Sequence, residues 1–297
     1  MPGRKLLTEA DWLPAYFGPH DSEMIRRREV LRETIERFHN GKRIEYYQQL
    51  AQRNLNNWLT ANKNSPSPQQ VRVIEGDWGA VTQALTIEFG ECFAVLNMAN
   101  AFVPGGAYVE GAPAQEENIF RRTDCHFSID SNEYDSVQDC YQYAMTRLIL
   151  AEHGEVYFDT TPRTCIRGPE DRDRSDLGYA WLDDDQVFPF FELRSAAQDL
   201  RDGSSFSVAE AQKRIAAQLD TLIKHNVRHA ILGAHGCGAF MNPTRIVADI
   251  YHEQISERAE NFSMIAFAIF NAGYGPDNFK PFAEQFSEPL LLSSSQP

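Results

Sequence analysis

The 297-residue sequence has no apolar run long enough to cross a bilayer. Its first residues, MPGRKLLTEADW, lack the apolar core of a signal peptide. A soluble, cytoplasmic protein is expected, with no membrane partner; secretion as an effector or a nuclear location stays open. Cysteine is sparse. The five, Cys92, Cys125, Cys140, Cys165 and Cys237, are odd in number and scattered. They form no CxxC pair and no Cys/His cluster, so buried free thiols are expected and no metal site. Basic charge is also short, with 28 Lys and Arg against 42 Asp and Glu and a formal net charge of −14. A general nucleic-acid binder presents a basic face, so nucleic acid is not an expected partner. An anionic small ligand remains possible, because a helix N-terminus or a nest of backbone N–H groups binds phosphate without net positive charge. There is no internal repeat.

The chain does contain enough apolar residues, 42 %, to bury a sizeable core. Residues 1–20 have little pattern. Over residues 21–59, Met24, Val30, Leu31, Ile35 and Phe38 recur at helical spacing. Gly41 is expected to separate a first helix from a second carrying Tyr46, Leu50, Leu55 and Leu59. The polar stretch 62–70 reads as a surface loop. Beyond it the texture changes to short apolar strands alternating with helices. Strands are expected at Val71–Ile74, Phe93–Leu96, Val156–Phe158, Val187–Leu193, His229–Leu232 and Met264–Phe270. Helices are expected at Trp78–Phe89, from Glu116 through Arg122, over Tyr134–Leu150, and after a capping box at Ser207–Glu210. Asn242 is expected to cap another, with Pro243 at its first position. Alternation of this kind predicts an α/β fold with a largely parallel sheet. The expected organisation is a helical extension over 1–70, a main domain over 71–288 and a flexible tail over 289–297. The charged segment 167–186 reads as a long functional or mobile loop, and its run Asp183–Asp185 as a solvated face.

Chemistry concentrates in two stretches. The first, NMANAFVPGGAYVEGAPAQEE over residues 97–117, starts where the strand Phe93–Leu96 ends. Ligands in open α/β sheets collect outside the carboxyl ends of strands. Two asparagines can read sugar hydroxyls, Gly105 and Gly106 let backbone approach a ligand, and Glu116 and Glu117 supply carboxyl groups for glycosidic chemistry. The bland alternative is a dipole-favoured acidic pair at a helix start. The second stretch, GAHGCGAF over residues 233–240, follows a buried strand and leads into a helix. Its glycines suit a phosphate loop, with a structural turn as the alternative. It is neither a Walker motif, since no Lys-Ser/Thr follows, nor a dinucleotide GxGxxG after the first strand.

Together these stretches resemble the macrodomain superfamily, and in particular its bacterial-type poly(ADP-ribose) glycohydrolases, whose signature of a glycine turn followed by Gln-Glu-Glu is similar to PGGAYVEGAPAQEE here. LNMANA resembles the family's asparagine-bearing strand end, Glu75-Gly-Asp77 its adenine-reading Asp, and GAHGCGAF its diphosphate loop; the likeness spans about residues 21–286. Two departures stand out: the glycine triplet is Gly105-Gly106-Ala107, and Gln198 stands where related sequences often have proline. The resemblance implies a macrodomain-like three-layer α/β/α domain with a mixed, largely parallel sheet and an N-terminal helical extension. It implies Glu117 as the catalytic acid, with Glu116 positioning the ribose or leaving group. It implies ADP-ribose contacts at Asp77, Trp78, Asn97, Asn100, Gly105, Gly106, Gln115, Gly233, Gly236, Cys237, Gly238, Ala239, Phe240, Phe270 and Asn271. No cofactor is implied. The implied partner is ADP-ribose, as poly(ADP-ribose) or on an ADP-ribosylated protein. The expected activity is release of ADP-ribose by cleavage of ribose–ribose or ADP-ribosyl-protein bonds. A mono-ADP-ribosyl-protein hydrolase, acting for example on ADP-ribosyl-arginine, and a non-catalytic ADP-ribose reader are the alternatives.

Overall fold

The computed structural model describes residues 3–7, 21–39, 41–61, 70–271 and 275–288. Two long helices come first, α1 (Asp21–His39) and α2 (Gly41–Ala61), then β1 (Gln70–Glu75), α3 (Trp78–Phe89), β2 (Ala94–Met98) and α4 (Gln115–Arg122). A 3-10 turn, Asp124–Ser128, leads to a small hairpin, β3 (Tyr134–Asp135) and β4 (Cys140–Tyr141), and to α5 (Tyr143–Ile149). The rest alternates: β5 (Tyr157–Phe158), β6 (Arg163–Cys165), β7 (Phe188–Ser195), α6 (Val208–Lys224), β8 (His229–Leu232), α7 (Thr244–Ser256), β9 (Met264–Ile269) and α8 (Phe279–Gln285).

The main sheet runs β1-β9-β8-β2-β7-β5, with β6 also paired to β7. The β1–β9, β9–β8, β8–β2 and β2–β7 pairs are parallel, and only β5 and β6 lie antiparallel to β7. Covering both faces of a parallel sheet makes its strands apolar throughout, and the period-2 pleat divides the side chains between two cores. On β9, Ile265, Phe267 and Ile269 face a core shared with Ile215, Leu219 and Leu222 of α6 and with Val247 and Tyr251 of α7. Met264, Ala266 and Ala268 face the opposite core, shared with Val81 and Leu85 of α3 and Ile119 and Phe120 of α4. The fold is therefore the three-layer α/β/α arrangement expected. Leu31 and Ile35 of α1 enter that second core directly. Phe38 of α1 and Leu50 of α2 pack on Val187 beside β7.

Several local expectations are corrected. The stretch 134–150 is not one helix, because Asp139 adopts φ +54° and Asp135 accepts from the N–H groups of Val137 and Gln138, closing a turn. Only α5 remains helical there. Asn242 does not cap α7; Pro243 occupies that position, and the Asn242 amide donates to the carbonyls of Gln198 and Phe240. Strand β6 and helix α8 were not anticipated. Ser207 does cap α6, accepting from the Glu210 N–H. The expected tail 289–297 and all but the last residue of the loop 62–70 lie outside the described residues.

Candidate active site

Because β1, β9, β8, β2 and β7 all run one way, their carboxyl ends collect on one edge. Asp77 follows β1, Phe270 follows β9, residues 233–240 follow β8, and residues 99–114 follow β2. The sheet splits at this edge. β2 pairs with β8 only at Ala94–Ala230 and Val95–Ile231. Beyond that, the Gln115 amide substitutes for a strand: its Nε2 donates to Leu96 O (2.7 Å) and its Oε1 accepts from Met98 N (3.0 Å). Gln115, expected to touch ligand, thus fixes the start of α4 against β2.

That places Glu116 and Glu117 in the first turn of α4, where the helix dipole favours carboxylates and no side chain caps the helix. Both are buried. Glu116 Oε2 accepts from the Asn100 N–H (2.7 Å), and Glu117 Oε1 accepts from the Ala107 N–H (2.9 Å). The second oxygen of each, Glu116 Oε1 and Glu117 Oε2, is buried without a hydrogen-bond partner among the described residues. Such orphans are uncommon in folded proteins, and a catalytic role or a bound ligand is among the explanations they call for. Burial, and then the neighbouring Glu117 carboxylate, push the Glu116 carboxyl well above the usual carboxylate range. Gly106 closes the turn over both side chains at φ +56°; a Cβ there would fall 2.4 Å from Glu117 Oε1 and 2.9 Å from Glu116 Oε2. The Asn100 Oδ1 accepts from the N–H groups of Phe102 and Val103 (2.8 and 2.9 Å), which leaves its amide nitrogen as a donor.

The loop carrying this turn is gripped by arginines. The carbonyls of Gly106, Glu110, Ala112 and Pro113 accept from Arg4 (2.5 Å), Arg28 (2.9 Å), Arg121 (2.6 Å) and Arg172 (3.4 Å) respectively. Beneath it, Glu192 and Arg194, both fully buried, form a bidentate pair at 2.8 and 2.9 Å. Burial alone would raise the Glu192 carboxyl; Arg194 and then Arg163 hold it down, at about 2. Asn97 belongs to this cluster: it is fully buried and donates Nδ2–H to Glu192 Oε1 (2.9 Å).

The loop 233–240 is built differently. Gly236 adopts φ +75°, and an added Cβ would meet the Ala197 methyl at 2.4 Å. The Cys237 N–H, expected to face a diphosphate, instead donates to Ala234 O (3.0 Å). Gly238 and Ala239 are exposed. His235 is buried, with Nε2 against Ser195 O (3.1 Å) and Nδ1 against the Gln218 amide (3.2 Å). Burial lowers it to about 4, so it is neutral and ties β8 to β7 and α6. Gly233 packs near Met98 at the end of β2. Arg201, paired with Asp199, lies over the Phe240 ring at 5.0 Å and feels the Glu117 charge, so it links the two loops.

At the β1 and β9 ends, Asp77 caps α3 by accepting from the Gly79 and Ala80 N–H groups (3.0 Å each) and pairs with Arg122 (2.8 Å). Its Oδ2 carries only Arg122 among these donors, at 2.9 Å, and retains room to accept. Trp78 is not open to a ligand; it is 4 % exposed and donates its indole N–H to Asn118 Oδ1 (2.9 Å). Phe270 is 46 % exposed, with the Arg172 guanidinium over its ring at 5.3 Å, and Asn271 beside it is exposed. Sequence reading missed Arg4, Arg172 and Arg201, each of which reaches the site from a segment without a motif. No described helix is long and apolar enough to cross a membrane, and no three described His, Cys, Asp or Glu residues are placed to hold a metal.

A macrodomain-like α/β/α fold with a paired-carboxylate loop on its carboxyl edge is thus the class the geometry defines. Residues 26–158 match the family model described as the catalytic domain of microbial-type PARG. The fold matches the crystal structure of poly(ADP-ribose) glycohydrolase from Thermomonospora curvata, with a TM-score of 0.60 and 21 % identity over 88 % of this chain and 99 % of that one. The same enzyme bound to the inhibitor ADP-HPD matches at 0.58 and 20 %, over the same shares of the two chains. The Deinococcus radiodurans poly(ADP-ribose) glycohydrolase in complex with ADP-ribose matches at 0.55 and 21 %, over 82 % and 91 %. No curated protein sequence matches significantly. The resemblance read from the sequence is borne out: this chain has the fold of the bacterial poly(ADP-ribose) glycohydrolases.

Proposed function

We propose that the protein is a poly(ADP-ribose) glycohydrolase that releases ADP-ribose by acid–base catalysis at Glu117. The observation that carries this reading is the carboxylate pair itself. Two buried carboxyl groups each spend one oxygen on a backbone N–H and keep the other unpartnered beside a glycine turn. A binding module would have no use for two such costly groups, since an unsatisfied buried acceptor costs about 1–3 kcal/mol.

In this reading the substrate's distal ribose lies against Gly105 and Gly106, with Asn100 donating to a hydroxyl. Glu117 Oε2 delivers a proton to the departing oxygen as the C1″–O bond breaks. Water then attacks C1″ and returns a proton to Glu117. Glu116, kept protonated by burial, donates from Oε1 to the ribose or leaving group. The N–H groups of Gly236, Gly238 and Ala239 receive the diphosphate, whose charge favours the oxocarbenium-like transition state. Gly233 allows close approach and Phe240 packs on the ribose. Asp77 Oδ2, Phe270 and Asn271 frame the adenine. We place the protein in the cytoplasm, whose reducing conditions suit its five free thiols.

The test is release of ADP-ribose from an automodified polymerase and, in parallel, from a mono-ADP-ribosylated arginine protein. Glu117→Gln is expected to lose about 10³-fold in kcat while calorimetric ADP-ribose binding persists. Glu116→Gln, which preserves a neutral donor, is expected to lose about tenfold or less. An active Glu117→Gln enzyme removes the acid assignment. Release from the arginine protein alone replaces the polymer by a mono-ADP-ribosyl substrate, and binding without release from either leaves a reader.

A further inference from the structure

The polypeptide segment 3–7 lies against the catalytic loop although nothing in its sequence marks it. Gly3, at φ +97°, sits on the His126 ring, where a Cβ would fall 2.4 Å from ring atoms. Leu6 packs on the core formed by α1, α3 and α4. The Leu7 carbonyl accepts from Arg32 of α1 (2.9 Å). Between them Arg4 is 5 % exposed and spends its whole guanidinium. Nε and Nη2 grip Asp139 of the small hairpin (2.9 and 2.6 Å), Nη2 also meets Glu110 (3.0 Å), and Nη1 donates to Gly106 O (2.5 Å).

Gly106 O and Ala107 N belong to one peptide group. Its carbonyl accepts from Arg4 and its N–H donates to Glu117 Oε1. In a trans peptide these two bonds point in opposite directions, so cation, peptide dipole and carboxylate line up. Hydrogen bonds in such a chain polarise one another and are strongest where the ends are charged. Anchoring the segment would need only Asp139 and Glu110; the contact to the Gly106 carbonyl acts on the turn that covers Glu117.

We infer that Arg4 is a positioning residue for the hydrolysis, orienting and polarising the Gly106–Ala107 peptide whose N–H holds Glu117. This rests on Glu117 as the acid. It assigns no substrate contact to Arg4.

The test uses the full chain with Arg4→Met, Arg4→Lys and Asp139→Asn, measuring kcat and KM on poly(ADP-ribose), ADP-ribose affinity and the thermal midpoint. Arg4→Met is expected to lower kcat by about 10–100-fold, with KM and ADP-ribose affinity within about threefold. Arg4→Lys, which keeps a cation, is expected to recover most of the rate. Asp139→Asn is expected to lower the thermal midpoint with kcat within about twofold, since the Gly106 contact remains. If Arg4→Met does not fold, Arg4→Gln, which also removes the cation, takes its place, and its Ala107 amide proton is compared with wild type by NMR; an upfield shift supports the relay. Unchanged kcat in Arg4→Met, a loss in Arg4→Lys as large as in Arg4→Met, or an unmoved Ala107 resonance overturns it. An active Glu117→Gln enzyme sinks the acid assignment whatever Arg4 does. An inactive Glu117→Gln beside an unaffected Arg4→Met sinks only the present inference.

Discussion

The loops after β2 and β8 both depend on glycine, yet they are held in opposite ways. In the first, four carbonyls accept from four arginines drawn from separate parts of the chain. In the second, the backbone bonds to itself, from Cys237 N to Ala234 O, Met241 N to Gly238 O and Asn242 N to Gly236 O. Ala197 and Asn242 close in on Gly236 and leave no room for a Cβ there. The contrast follows from the tasks. Two buried carboxyl groups on adjacent residues are costly to hold at fixed positions, and the arginines bonded to the loop carbonyls lock the backbone around them. In the proposed function the second loop receives a diphosphate, for which unspent N–H groups and a stiff frame suffice.

Breaking the first loop should therefore cost activity, and breaking the second should cost stability. Gly106→Ala attacks the first directly, with φ +56° and Glu117 Oε1 at 2.4 Å from the new methyl. Its kcat on poly(ADP-ribose) is expected to fall about 100-fold as Glu117 is displaced, a change steady-state kinetics reads at once. A fall of less than threefold would mean the carboxylate does not depend on this turn. Gly236→Ala attacks the second loop, where a left-handed φ of +75° and the Ala197 methyl oppose the new side chain. It is expected to lose about 3 kcal/mol in denaturant unfolding, about half from backbone strain and half from overpacking. Gly238→Ala, with no atom within 4 Å of the new Cβ, serves as its neutral control.

A milder perturbation is acid. His235 behind the second loop is lowered by burial to about 4, and His126 and His229 are lowered to about 4 as well. Unfolded histidine titrates near 6.5, so between about pH 6.5 and 4 the unfolded chain binds more protons than the folded one. Stability contributed by these buried neutral rings is complete above pH 6.5 and is lost as the pH falls toward 4. The thermal midpoint is expected to drop between pH 7 and 5. His235→Gln should flatten that dependence in part, leaving the shares of His126 and His229.

Much of the frame was legible in the sequence because it rests on local pattern. Short apolar runs marked the buried strands, and a glycine turn before Gln-Glu-Glu marked the carboxylate loop. What was not legible rests on contacts between distant positions. Asn97 looked like a sugar reader at a strand end, but its partner is Glu192, 95 residues away. Trp78 looked like an ADP-ribose contact, but Asn118 engages its indole N–H. Arg4 lies in a stretch without periodicity, and its value comes from meeting Gly106 across 102 residues. The hairpin at 134–141 was hidden because Asp139 in a left-handed conformation is rare and its Arg4 partner is remote.

The amide of Gln115 has a mechanical consequence. By occupying Leu96 O and Met98 N it rivets α4, which carries Glu116 and Glu117, to β2, while the loop 233–240 travels with β8. Past Val95 and Ile231 no register joins those two strands, so the sheet carries a seam there. A change in twist across that seam would slide Glu117 past the loop 233–240 as one jaw of a vice slides along the other, and in the proposed function that sets the gap for the sugar ring.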